Sequence, residues 1–186
     1  MKKYILKSIS SCILKLLGWK IYGEINHSIT KGVMIVAPHT SYMDFIIGKL
    51  ALNALNVKAY FLIKKEFFFF PIGCLIKALG GIPVDRDKST NVVLKVSKLF
   101  EKNQKLIIVI TPEGTRKLTH NWKKGFYYIA LNAKVPIIPG YLDYKEKTAG
   151  IGEVLIPSGN FNEDFKILEK FYKGRHARFP ENYNLS

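Results

Sequence analysis

The sequence predicts an α/β fold, with a mostly parallel central sheet flanked by helices. Two observations carry that prediction. Short, nearly unbroken apolar runs recur along the chain, the clearest at 33–37, 59–63 and 106–110. Between them lie segments whose apolar residues repeat at helical spacing. A strand without polar alternation is buried on both faces, and such strands alternating with amphipathic helices are the pattern of parallel crossover units. The 186 residues, 48% apolar and 23% charged, suffice for one domain with a substantial core.

In chain order, the first segment places Ile5, Ile9, Ile13 and Leu16 on one helical stripe, widened by Leu6, Cys12 and Leu17. Lys7, Ser8, Ser11 and Lys15 fall largely on other faces. A bilayer span needs roughly 20 apolar residues, and Lys7 and Lys15 interrupt this run well before that. No cleavage-site pattern follows it. The expectation is an N-terminal amphipathic membrane-interface helix over residues 1–22, followed by one domain over 23–186. A helix packed on the protein's own core is the alternative.

Residues 33–37 read as a buried strand that Pro38 ends, and 42–55 as a helix with Phe45, Ile46, Leu50 and Ala54 near one face. A second strand is expected at 59–63. The segment 67–79 is apolar, its start broken by Pro71 and Gly73. Residues 82–84 form a short extended stretch, and 91–102 a helix capped by Ser89 or Thr90. The strand at 106–110 precedes a helix at 126–133, a strand-like stretch at 135–139 and a late strand at 154–156. Asn162 is expected to cap a final helix, with Glu163 and Asp164 in its first turn.

In open α/β sheets the chemistry gathers beyond the carboxyl ends of the strands. His39 and Glu113 each follow a predicted strand. Four residues separate His39 from Asp44 across a strand-to-helix junction, so the carboxylate can fold back to the imidazole, fix its tautomer and leave the other ring nitrogen free to take a proton. Ser41 and Asp44 equally form a capping-box pattern that needs no chemistry. The turn Glu113, Gly114, Thr115, Arg116 offers backbone N–H groups and a guanidinium to an oxyanion, or is a polar surface turn. Arg86 suits bidentate phosphate contact or is solvated. Lys64 and Lys65, before the aromatic run 67–70, form either a phosphate and membrane-interface element or a strand edge beside a buried aromatic cluster.

A net charge of +15 favours polyanionic partners. A nucleic-acid-binding basic domain is the rival of another class, resting on charge and ten tyrosines. It lacks a basic helix, zinc-ligand spacing or an aromatic RNA-binding signature. Cys12 and Cys74 are isolated, which suggests neither a metal site nor a disulfide framework and fits a reduced compartment. An acyl-enzyme on Ser41 or Cys74 is a minor alternative mechanism.

Taken in order, four segments resemble the glycerolipid acyltransferases, the family of 1-acylglycerol-3-phosphate O-acyltransferases. His39 and Asp44 stand in its H-x-x-x-x-D signature. Lys64 to Pro71 with Gly81 to Arg86, then Pro112 to Arg116, then Val135 to Pro139, resemble its further blocks. Pro38, Thr111, Lys117 and Gly140 depart from residues common at these places. The resemblance implies the glycerolipid acyltransferase fold with an apolar tunnel for the acyl chain, and transfer of that chain from acyl-CoA or acyl-carrier protein to a lysophospholipid hydroxyl. It implies His39 as general base and Asp44 as its orienting partner. Lys65, Arg86, Glu113, Gly114, Thr115 and Arg116 would line the acceptor site, with Glu113, an anion, positioning Arg116 or a backbone group. The acceptor implied is 1-acylglycerol-3-phosphate, with a lyso-aminolipid or another lyso-lipid as alternatives. No metal or cofactor is expected, the donor being a substrate. The site of action implied is the anionic cytoplasmic face of the cell membrane.

Overall fold

A computed structural model describes residues 2–26, 28–85 and 89–185. Among these, seven strands form one sheet: β1 (Lys20–Tyr22), β2 (Lys31–Ala37), β3 (Ala59–Lys64), β4 (Gly81–Val84), β5 (Leu106–Ile110), β6 (Ile137–Asp143) and β7 (Thr148–Ile151), in the order β1-β7-β6-β2-β5-β3-β4. Every pairing is parallel except the β6–β7 hairpin. The helices are α1 (Lys2–Leu16), α2 (Met43–Ala54), α3 (Ile72–Ala78), α4 (Ser89–Lys102), α5 (Gly125–Ala133) and α6 (Phe161–Tyr172).

Strand β2 shows why its sequence is an unbroken apolar run. Val33, Ile35 and Ala37 pack with Val96 and Phe100 of α4, Phe126 and Ile129 of α5 and Leu168 of α6. Met34, on the opposite face, packs with Leu52 of α2 and Ile138 of β6. Each strand side therefore has its own helical layer, and a charged residue on either would be buried.

α1 packs on α2 and joins the core through Leu14, which is fully buried beside Ile47 and Ala51. Ile5, Ile9, Ile13 and Leu16, the stripe read from the sequence, face outward instead. A narrow inner face thus docks on the domain, as in the alternative of a helix packed on the core, while the wide apolar face is exposed. Among the described residues, no helix is long and apolar enough to cross a membrane.

Several expectations need correction. The cap of α6 is Asn160, whose side chain accepts from the Asn162 and Glu163 amides, not Asn162. The late strand at 154–156 is a single bridge, Leu155 to Ile137, while β1 and β7 pair where the sequence showed no apolar run. The strand expected at 135–139 begins at Ile137 and runs on to Asp143. The cap at Ser89 or Thr90 concerns side chains outside the described residues.

Candidate active site

The strand order gives the site its layout. β6, β2 and β5 are adjacent and parallel, so the residues that follow them emerge side by side, about 5 Å apart per strand. Tyr144 follows β6, His39 follows β2 and Glu113 follows β5. β3 and β4 continue the row, and Lys65 and Asp85 follow them. The Lys65 ammonium pairs with the Asp85 carboxylate. Arg86 lies outside the described residues.

Asp44, in the first turn of α2, is the best-connected polar group in the row. Its Oδ2 lies 3.2 Å from His39 Nδ1 and accepts from the backbone amides of Thr40 and Ser41 at 2.7 and 2.8 Å. Its Oδ1 accepts from the Tyr144 hydroxyl at 2.6 Å. The Ser41 hydroxyl in turn accepts from the Met43 amide at 3.1 Å. Only half of the capping-box pattern is present, the bond from the Ser41 amide to Asp44, and it shares one carboxylate oxygen with the imidazole; the N-cap of α2 is Tyr42, with no side-chain cap bond. Burial on its own would raise the Asp44 pKa. The hydrogen bonds from His39, Tyr144 and the Ser41 amide outweigh that and hold it below its usual value. An imidazole whose Nδ1 is bonded to this carboxylate presents Nε2 as the nitrogen able to accept a proton.

Glu113 is buried more deeply still. Its Oε1 accepts from the His39 amide at 2.8 Å, so it holds the histidine's backbone rather than Arg116, one of the two options the sequence left open. Oε2 has no hydrogen-bond partner among the described residues. Burial, with the nearby Asp44 charge adding to it, pushes the Glu113 pKa up to about 8 against a lowering by the His39 amide.

Gly114 turns the chain at φ +68, which favours glycine, while a Cβ there would meet only the flexible end of the Lys123 side chain. The Gly114 amide is committed to the Thr111 carbonyl at 3.0 Å, and the Thr115 hydroxyl accepts from the Lys117 amide at 3.2 Å. The Gly114 N–H expected to face an oxyanion is thus used inside the turn. The Arg116 guanidinium lies 3.7 Å from the centre of the Tyr42 ring, which leaves its N–H edge available to an anion.

Beside α2, Phe45, Phe61, Ile63, Ile76, Leu79 and Gly81 line an open apolar cleft of about 190 Å³. The aromatic run near it is not a buried cluster: Phe67, Phe69 and Leu75 are exposed, and Phe70 is 85% exposed. Tyr144 and Tyr42 were not legible as site residues, since Tyr144 meets Asp44 across 100 residues of chain. A hydroxyl-bearing residue just after a central strand is the one signal that could have singled it out.

The sequence model of the acyltransferase family, described as "Acyltransferase", matches residues 19–143. The chain is 30% identical over 129 residues to the 1-acyl-sn-glycerol-3-phosphate acyltransferase of Saccharomyces cerevisiae, covering 64% of this chain and 41% of that protein. To the human 1-acyl-sn-glycerol-3-phosphate acyltransferase beta it is 34% identical over 113 residues, 57% and 39% of the two chains. The chain thus spans about two-fifths of the length of these curated relatives. A crystal structure of the 1-acyl-sn-glycerophosphate (LPA) acyltransferase PlsC from Thermotoga maritima superimposes with a TM-score of 0.62 at 17% identity, over 95% of this chain and 81% of that one. At that identity the likeness concerns the fold.

Proposed function

The chain belongs to the acyltransferase family, and from that premise we propose that it transfers a fatty acyl group from acyl-CoA or acyl-carrier protein to the free hydroxyl of a lysophospholipid, 1-acylglycerol-3-phosphate giving phosphatidic acid. The observation that carries the reading is the His39–Asp44 pair at the mouth of β2. In this reading His39 Nε2 takes the proton of the acceptor hydroxyl as its oxygen attacks the thioester carbonyl. The tetrahedral intermediate collapses, the C–S bond breaks, and the thiolate leaves with the proton returned by the imidazolium. Asp44 stabilises the imidazolium and fixes its orientation.

The names of the curated relatives support the acceptor class. In this reading Arg116, stacked on Tyr42, would meet the acceptor's phosphate, with Gly114 and Thr115 shaping its turn and Glu113 holding the His39 backbone. Lys65, which follows β3 in the same row, would extend this cationic side of the site, and the family resemblance gives Arg86 the same role. The apolar cleft between α2 and α3 would receive acyl chain.

The outward face of α1 and the exposed Phe69, Phe70 and Leu75 near α3 would rest on the cytoplasmic face of the membrane, drawn there by a +15 chain and anionic headgroups. Binding to anionic vesicles should weaken as salt rises, read by co-sedimentation. Binding indifferent to salt would assign the anchoring to apolar contact alone.

The decisive experiment is incubation of the protein with mixed lyso-lipids and either acyl-CoA or acyl-carrier protein, followed by lipid mass analysis. Phosphatidic acid is the expected product, and His39→Ala should form it on the order of 10²–10⁴-fold more slowly. A new diacyl aminolipid instead would change the acceptor. No acylated product from any lyso-lipid would overturn the reading.

A further inference from the structure

Asp44 has two oxygens, and the imidazole uses one of them. The other receives the Tyr144 hydroxyl at 2.6 Å, the shorter of the two contacts. Tyr144 lies one residue beyond the segment matched by the family model, and it reaches Asp44 from a different strand. We propose that Tyr144 is a positioning residue of the site, which locks the Asp44 carboxylate against rotation and sets how strongly that carboxylate holds the His39 imidazole. The inference rests on the acyl-transfer reading for its kinetic consequences, but not for its electrostatic one.

The phenol is held in place on three sides. Its ring meets the buried Trp19 edge-on, with centroids 5.1 Å apart and planes at 88°. Its amide donates to the His176 carbonyl at 2.9 Å. The Arg178 guanidinium stands 6.0 Å from its ring. Packing against Trp19 needs only an aromatic ring, and phenylalanine would supply it equally. The hydroxyl is the part that packing does not explain, and it points at the one Asp44 oxygen that carries no backbone amide and no imidazole. With Oδ2 shared by three N–H groups and Oδ1 fixed by one O–H, the carboxylate has no free edge about which to turn. A loose carboxylate would let the imidazole swing, and small misplacements of a general base are costly.

The same hydrogen bond has an electrostatic effect. A donor on Oδ1 draws negative charge away from Oδ2 and so weakens the hold of Asp44 on a protonated imidazole. The charged and titratable groups around this pair are His39 and Glu113 on the substrate side and Arg178 beyond the phenol. The adjacent Asp143 is occupied by the Lys145 and Glu146 amides and the His176 ring. Among the described residues none of these groups hydrogen-bonds Oδ1, so removing the hydroxyl should leave Asp44 more basic and its grip on the imidazolium tighter.

The test is Tyr144→Phe in the full chain, which keeps the ring on Trp19. Two readouts are compared with the wild type: kcat, KM and the pH profile for the lyso-lipid acceptor, and the pH titration of the His39 ring resonances by NMR, assigned by their loss in His39→Ala. Turnover should fall by about 5–20-fold with the acceptor's KM unchanged, as one strong hydrogen bond is removed from the pair. The acid limb of the profile and the His39 titration curve should both move to higher pH. A purely structural tyrosine would change neither curve, so curves that stay put or move to lower pH overturn the inference. If the wild type acylates no lyso-lipid while the His39 curve still moves up in Tyr144→Phe, the acyl-transfer reading falls and this one stands. If the wild type is active and the two proteins coincide in rate and titration, this inference falls and that reading stands.

Discussion

Asp44 and Glu113 stand in one site under nearly equal burial, 5% and 1% exposed, yet their carboxyl groups are driven in opposite directions. Asp44 is held below its ordinary pKa, whereas Glu113 is pushed up to about 8. Burial acts the same way on both, so it cannot be what separates them. The difference lies in the donors. Asp44 receives two backbone amides, an imidazole and a phenol, while Glu113 receives, among the described residues, the His39 amide alone. Thr40 and Ser41, in the bend between β2 and α2, supply the two amides that Asp44 accepts from. Glu113 sits on a turn whose Gly114 amide is already used by the Thr111 carbonyl. Loop geometry therefore keeps one carboxylate an anion at neutral pH beside His39 and leaves the other close to neutral, acting as a hydrogen-bond acceptor for the backbone.

The same chemical change at the two positions should break this symmetry of burial most clearly. Asp44→Asn removes the anion that orients and stabilises the imidazolium. Turnover should drop on the order of 10²–10⁴-fold, measured as initial rate of lyso-lipid acylation. A rate within a few-fold of the wild type would mean that the carboxylate serves only to hold the Thr40 and Ser41 amides before α2.

Glu113→Gln should do far less, because near pH 7 a carboxyl with a pKa of about 8 is mostly protonated and the amide replaces one neutral acceptor by another. A loss of turnover below about tenfold is expected at that pH. The sharper signature is in stability against pH. A carboxyl raised from 4.5 to about 8 by folding contributes stability that is fully present below about 4.5 and is lost as pH rises to about 8. Asp44 has the opposite sign: lowered from 3.8, it contributes stability above that value, which is lost as acid protonates it. Thermal melts of Glu113→Gln across pH 4–9 should therefore lose the decline that the wild type shows over its upper part. Identical pH slopes in the two proteins would place Glu113 in a wetter environment than its burial indicates.

Much of this is legible in the sequence. The strands at 33–37, 59–63 and 106–110 lie where their apolar runs placed them, because a residue buried on both faces of a sheet leaves an unbroken mark in the sequence. His39 and Asp44 were found as a pair because four intervening residues at a helix start bring them together locally, whatever the rest of the chain does. Glu113 was found because it follows a strand. Strands β1 and β7 escaped because edge and hairpin strands here are short and partly polar, and the cap of α6 was misplaced by two residues because both candidates are asparagines.

By itself, then, the sequence determined the fold class, the family resemblance and the local half of the site, since each depends on neighbours a few residues apart. Which nitrogen Asp44 faces, which backbone Glu113 holds, and that Tyr144 closes the carboxylate from the far side were decided only when β6, β2 and β5 lined up in parallel. Adjacency between strands separated by tens of residues is set by the packing of the whole sheet, and no local pattern encodes it.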